Sequence, residues 1–172
     1  MNDITHFSML NILIWIVSFF LMEFPMRSIY LSMGGESLTK WYGFREFNIY
    51  NVIIGDLFYV LVGVIIAYRT YKYFFGEERN IVKFFLTFWV IQMIGDLTFY
   101  LIISGLPKSM NNKWITFFKN YGKTSGLNAV FGDSIYILVW LITAYLIKDL
   151  KIDVLLAILF AYIFICSIID SS

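Results

Sequence analysis

The chain has 172 residues, of which 60% are hydrophobic and only 15% charged, and its mean hydropathy is +0.76. Soluble domains run at about 45–50% apolar and about 25% charged, so a soluble enzyme core and a disordered tail are excluded. Thirteen Lys and Arg against twelve Asp and Glu leave a net charge of +1, which also excludes the basic footprint of a nucleic-acid binder.

A bilayer core is crossed by about 20 apolar residues, and the apolar content suffices for about five such spans. The first apolar run covers residues 7–24, interrupted by Asn11 and Ser18 and closed by Glu23, Pro25 and Arg27. No Lys or Arg precedes it and no small-residue cleavage site follows. A retained helix is therefore expected, not a removed signal peptide. Further spans are expected over 49–75, 81–103, 127–147 and 152–169. Lys148, Asp149, Lys151 and Asp153 mark a tight hairpin between the last two. Barrel strands would alternate polar and apolar residues, whereas Ile135–Ile142 is apolar on both parities. Backbone in lipid must bond to itself, so the expected fold is all-α, one transmembrane bundle of about five helices.

Two connections exceed a turn. The first holds Gly34-Gly35 and an aromatic set, Trp41, Tyr42, Phe44 and Phe47, flanked by Lys40 and Arg45. Trp and Tyr beside cations suit the headgroup layer. In the second, Ser109 is a candidate N-cap, and Met110, Trp114, Phe117, Phe118 and Tyr121 recur at helical spacing up to Gly122. An amphipathic helix is expected over about 109–121, lying in the membrane interface or capping the bundle. Six cations on one side of the expected bundle face seven on the other, which gives no orientation under the positive-inside rule.

One string recurs. Gly55-Asp56 is followed by Tyr59, Gly95-Asp96 by Tyr100, and Gly132-Asp133 by Tyr136. A Tyr three or four residues after an Asp shares its helix face. At about 1.5 Å per residue, each Asp falls roughly 9–11 Å inside its span, and alternating helix direction puts all three on one side. Glu23 is expected on that side too, nearer the interface. Asp at a span centre costs about 2.5–3.5 kcal/mol, so the three should point inward. They could not all stay ionised together without a proton, a cation or a metal ion. Lys119 and Lys123 are the candidate charge partners, Gly55, Gly95 and Gly132 the candidate close-packing glycines, and Tyr59, Tyr100, Tyr136 and Gln92 the candidate donors.

Chemistry is narrowed by absences. The single His6 excludes histidine-rich di-iron and histidine-phosphatase sites, and the single Cys166 excludes CxxC redox chemistry and an intrachain disulfide. No Lys lies mid-span to form a retinal Schiff base. Intramembrane aspartyl proteases use Gly-x-Gly-Asp, but here Ile53, Met93 and Val130 occupy the first Gly positions. The Asp-Gly-Ala-Arg string of CDP-alcohol phosphotransferases is missing. Catalytic residues and a cofactor are therefore not assigned.

Trp41-Tyr42, Gly55-Asp56, the run Ile91-Gln92-Met93-Ile94-Gly95-Asp96 with Phe99-Tyr100, Leu106-Pro107-Lys108, Phe118–Lys123 and Gly132-Asp133-Ser134 resemble uncharacterised small multi-pass membrane proteins of giant and other large DNA viruses. That resemblance covers about residues 41–145. It implies a virion or host cell membrane and carries no activity across. Three functions are expected to compete: a structural or membrane-organising component, a proton or small-cation transporter or channel, and a membrane-embedded enzyme using carboxylates. The expected partners are the lipid bilayer and a second copy in a homo-oligomer, with no nucleic acid.

Overall fold

A computed structural model describes residues 2–33, 39–41, 47–125 and 127–170. Gly34, Gly35, Tyr42, Phe44 and Arg45 lie outside these. The described chain is all-helical: α1 Met9–Met33, α2 Ile49–Phe75, α3 Ile81–Gly105, a 3₁₀ turn Lys108–Met110, α4 Lys113–Ser125, α5 Leu127–Ile147 and α6 Ile152–Asp170. Four stretches are long and apolar enough to cross a membrane, namely Met9–Ser32, Ile49–Phe75, Ile81–Gly105 and Val130–Ile147. This makes the chain a membrane protein. The fifth apolar helix is shorter over its described residues, Ile152–Ile168, which extend for about 25 Å against a hydrocarbon core of about 30 Å.

Three features differ from the sequence-based expectation. The first helix does not stop at 24 but runs through Pro25 to Met33. A mid-helix proline removes one backbone bond and crowds the carbonyl four residues back, a defect that membrane helices tolerate when neighbouring groups re-satisfy the backbone. The carbonyl that loses its amide partner is that of Leu21; in the turns after the proline Ser28 donates to the Phe24 carbonyl at 3.0 Å and Ser32 to that of Ile29 at 2.7 Å. The consequence is that Glu23 sits in the helix interior instead of at its end.

The amphipathic helix begins at Lys113, not Ser109. Asn112 is its cap, accepting from the Ile115 amide at 2.9 Å, and Ser109 is taken up in the 3₁₀ turn. The third difference concerns α5 and α6. Residues 148–151 join them closely, yet neither packs along the other; both pack on α1. Asn48 and Asn80 cap α2 and α3 through their side chains, as their position before each apolar run favours.

Around α1 lies the main core. Trp15, Phe19, Phe84, Phe88 and Trp140 are fully or almost fully buried, and Trp15 stands edge-on to Trp140 with ring centres 4.9 Å apart. Both indoles find acceptors, as buried indoles need: Trp140 donates to the Trp15 carbonyl at 3.0 Å and Trp15 to the Tyr68 hydroxyl at 2.7 Å. Helix α3 packs on α2, α4 and α5 and leaves Val82, Leu86, Val90, Ile94, Leu97 and Leu101 exposed for lipid. A second cluster forms where α4 lays Phe117 and Trp114 on Trp41 and Phe47. Trp41 stacks on Phe117 at 5.1 Å. The aromatic stripe of α4 is thus spent on protein contacts, and the helix caps the bundle.

The amino-terminal segment ties together the loops at the opposite end. Tyr68 donates to the Ile4 carbonyl, and the Asn2 amide to Asp149. His6 lies between the Asp3 and Glu77 carboxylates at 3.0 and 3.1 Å, and Arg79 reaches Asp3 at 3.4 Å. Lys72 pairs with Glu77 and Lys83 with Glu78. Burial pushes the Asp3 carboxyl up, but the hydroxyl and amide of Thr5 and the nearby His6 outweigh it and hold the group below its ordinary value.

Candidate functional site

Helices α1, α2, α3 and α5 each bring one acid to the half of the bundle beneath α4. Glu23 is 1% exposed, and its Oε2 accepts from the Tyr136 hydroxyl of α5 at 2.5 Å. Arg27, one turn further along α1, lies within electrostatic reach of it. On α2, Asp56 accepts from the Trp41 indole at 3.0 Å and lies in the electrostatic field of Glu23 and Asp133. On α3, Asp96 Oδ1 accepts twice, from the Tyr59 hydroxyl of α2 at 2.7 Å and from Gln92 at 2.9 Å. The Asp133 carboxyl of α5 is its hydrogen-bonding neighbour. Among the described residues the site therefore holds four acids from four helices, one more than the Gly-Asp repeat indicates. Glu23 joins because α1 continues past Pro25.

The tyrosines do not serve the aspartates of their own helices. Tyr59 goes to Asp96 and Tyr136 to Glu23. Tyr100 is not in the cluster; its ring lies against Gly122 of α4, where a Cβ would collide with it. Only Gln92–Asp96 keeps the local four-residue spacing.

The candidate glycines divide likewise. A Cβ at Gly95 would come within 3.1 Å of the Tyr59 hydroxyl, one at Gly132 would make ordinary contact with Tyr30 at 3.8 Å, and one at Gly55 would meet nothing within 4 Å. Gly55 is therefore not a close-packing position. Gly63, not singled out from sequence, is one: a Cβ there would meet Gln92 at 3.1 Å and Phe88 at 3.3 Å. Nothing in the local sequence marks it apart from its residue type.

Neither candidate lysine neutralises the acids as anticipated. Lys119 turns away to the Leu106 carbonyl at 2.7 Å and to Asn111 at 2.9 Å, closing the start of the connection onto α4. Lys123 is exposed. A described cation that does reach the cluster electrostatically is Arg27, through Glu23, which the sequence places only as a helix-ending residue. Additional polar links surround the site: Tyr30 donates to the Gly132 carbonyl at 2.9 Å, and Trp89 to Ser134 at 2.7 Å.

Two buried oxygens, Glu23 Oε1 and Asp96 Oδ2, receive no hydrogen bond among the described residues. Asp96 Oδ2 is an acceptor beside another carboxyl, so only a proton on one of the pair would give it a donor. No three His, Cys, Asp or Glu side chains among the described residues are grouped to hold a metal ion. Comparison with known proteins finds no matching family model, no matching curated protein and no matching solved structure.

Proposed function

We propose that the protein is a structural, membrane-organising component whose acids and aromatic donors hold the helices together inside the bilayer. One observation carries this reading: three carboxylates each accept from an aromatic donor on a different segment, Tyr136 to Glu23, Trp41 to Asp56 and Tyr59 to Asp96. Between apolar helices in lipid no hydrophobic force favours one register over another, and polar pairs of this kind supply it. The acids lie about 9–15 Å from the ends of their helices, a depth at which an unpaired carboxylate is costly. The resemblance to large-virus membrane proteins is the reason to assign the bilayer to a virion or a host cell.

A second reading, proton or small-cation passage, is favoured by a different observation: Glu23 Oε1 and Asp96 Oδ2, which have no partner among the described residues, are places for a proton to reside. Replacing Asp56, Asp96 and Asp133 together by Asn separates the two. Under the structural reading the variant is less stable in mild detergent, and neither it nor the parent carries cations in proteoliposomes. Flux in the parent that disappears in a fully folded variant would overturn it in favour of transport.

A further inference from the structure

We propose that residues 2–8 form a strap that clamps the α2–α3 turn, residues 76–80, only while the His6 ring carries both of its protons, so that rising pH releases the turn. The device stands at the end of the bundle away from α4 and is independent of what the acid cluster does. Its basis is the set of contacts that the ring makes. His6 Nδ1 lies 3.0 Å from Asp3 Oδ2 and 3.1 Å from the Thr5 hydroxyl, whose own proton goes to Asp3 Oδ1 at 2.7 Å. His6 Nε2 lies 3.1 Å from Glu77 Oε2. A carboxylate only accepts, and a neutral imidazole has one donor and one lone pair. Both contacts are therefore made together only by the imidazolium.

The two sides of this bridge are held differently. Asn11 of α1 donates to the Asp3 and His6 carbonyls at 2.7 and 2.6 Å, and Tyr68 of α2 to that of Ile4 at 2.9 Å. The strap is thus fixed to the bundle by bonds between groups that do not titrate near neutrality. Among the described residues the turn is tied to the strap by His6–Glu77 and by Arg79–Asp3 at 3.4 Å. It leaves α2 at Gly76, whose φ of 62° lies in the left-handed region that glycine enters freely.

The described charged groups around the ring are Asp3 of the strap, Lys72 of α2, and Glu77 and Arg79 of the turn. Next out, Glu78 is paired with Lys83 of α3, and Asp149 with Lys148 of the α5–α6 connection. Lys72 holds the Glu77 carboxyl below its usual value, and Asp3 is held low despite its burial, through Thr5 and His6. Both therefore stay ionised across the range of about pH 5–8 in which imidazoles exchange a proton. Loss of that proton turns a lone pair toward a carboxylate. Glu77 is 71% exposed and 3.0 Å from Lys72, so it goes over to Lys72 and water, and Arg79 is left as the tie. The clamp is present while the ring is charged and is lost as pH rises.

The test follows amide exchange of residues 76–80 in the full chain in uncharged detergent, at about pH 5.5 and about pH 8.5, corrected for intrinsic exchange. His6 is the only histidine, so its ring nitrogens report the proton directly by NMR. Protection of the turn should fall about two- to fivefold between the two conditions, the effect of an exposed ion pair, in step with loss of the ring proton. Amides around the buried Val64 should not change.

H6Q and E77Q should each remove the pH dependence. R79Q should lower protection of the turn in both conditions and keep the ratio between them. Equal protection in the two conditions, protection that rises with pH, or a ratio that survives in H6Q would each overturn the proposal. A ratio lost in H6Q but kept in E77Q would also overturn it, since that confines the ring to the Asp3 turn.

Discussion

Tyr136→Phe removes one oxygen and leaves the ring among its neighbours, including Phe19 at 6.3 Å. That oxygen donates to Glu23 at 2.5 Å, and the other oxygen of Glu23 already receives no hydrogen bond among the described residues. The variant therefore leaves a carboxylate that is 1% exposed with the Arg27 field as its compensation. A hydrogen bond to a charged group contributes about 1.5–3 kcal/mol in water-soluble proteins. Between membrane helices the measured mean is nearer 0.6, with a maximum of about 1.7 kcal/mol, because the unfolded chain also finds partners in lipid.

Full burial and the lack of a second donor place Glu23 at the upper end of the membrane range. We expect a loss of about 1.5 kcal/mol, or about tenfold in the folded ratio, by reversible denaturation in mixed micelles. Tyr59→Phe provides the internal scale. Tyr59 is 36% exposed and Asp96 keeps Gln92 as a donor, so the loss should stay below about 1 kcal/mol. Glu23→Gln keeps an acceptor for the Tyr136 hydroxyl and removes the buried charge, so its loss should be smaller than that of Tyr136→Phe. A Tyr136→Phe loss no larger than that of Tyr59→Phe would refute the claim that this bond fastens α1 to α5.

Other outcomes follow from the same geometry. Gly122→Ala drives a methyl into the Tyr100 ring and should cost about 1–3 kcal/mol, read as faster amide exchange along α4. Gly55→Ala meets open space and should stabilise α2 by up to about 1 kcal/mol, measured by the same denaturation. Trp140→Ala should cost about 3–5 kcal/mol and release the Trp15 carbonyl, visible as a lower unfolding temperature. Because Asp3 titrates below its ordinary 3.8 in the folded chain, its contribution is complete above that pH. It is lost as pH falls through the lower folded value. Amide protection of residues 2–8 should decline over that acidic range, and Asp3→Asn should abolish the pH dependence.

Much of the architecture was legible because lipid leaves the backbone few choices. Long apolar runs become helices whatever their neighbours are, and the spans over 49–75 and 127–147 appear with the expected bounds. Errors arose where a local rule met tertiary support: Pro25 and Glu23 looked like a helix end, yet α1 continues to Met33.

What could not be read was which face of each helix turns inward. These helices are apolar nearly all round, so the sequence carries no stripe to set their rotation. Partner choice is therefore non-local. Spacing within a helix suggested Asp133 with Tyr136 and Asp96 with Tyr100, whereas packing joined Tyr136 to Glu23, 113 residues away, and Tyr59 to Asp96. Composition sufficed for the solvent and the helices. The pairing of those acids came from side-chain packing between segments distant in the chain, where each helix's rotation depends on all its neighbours at once.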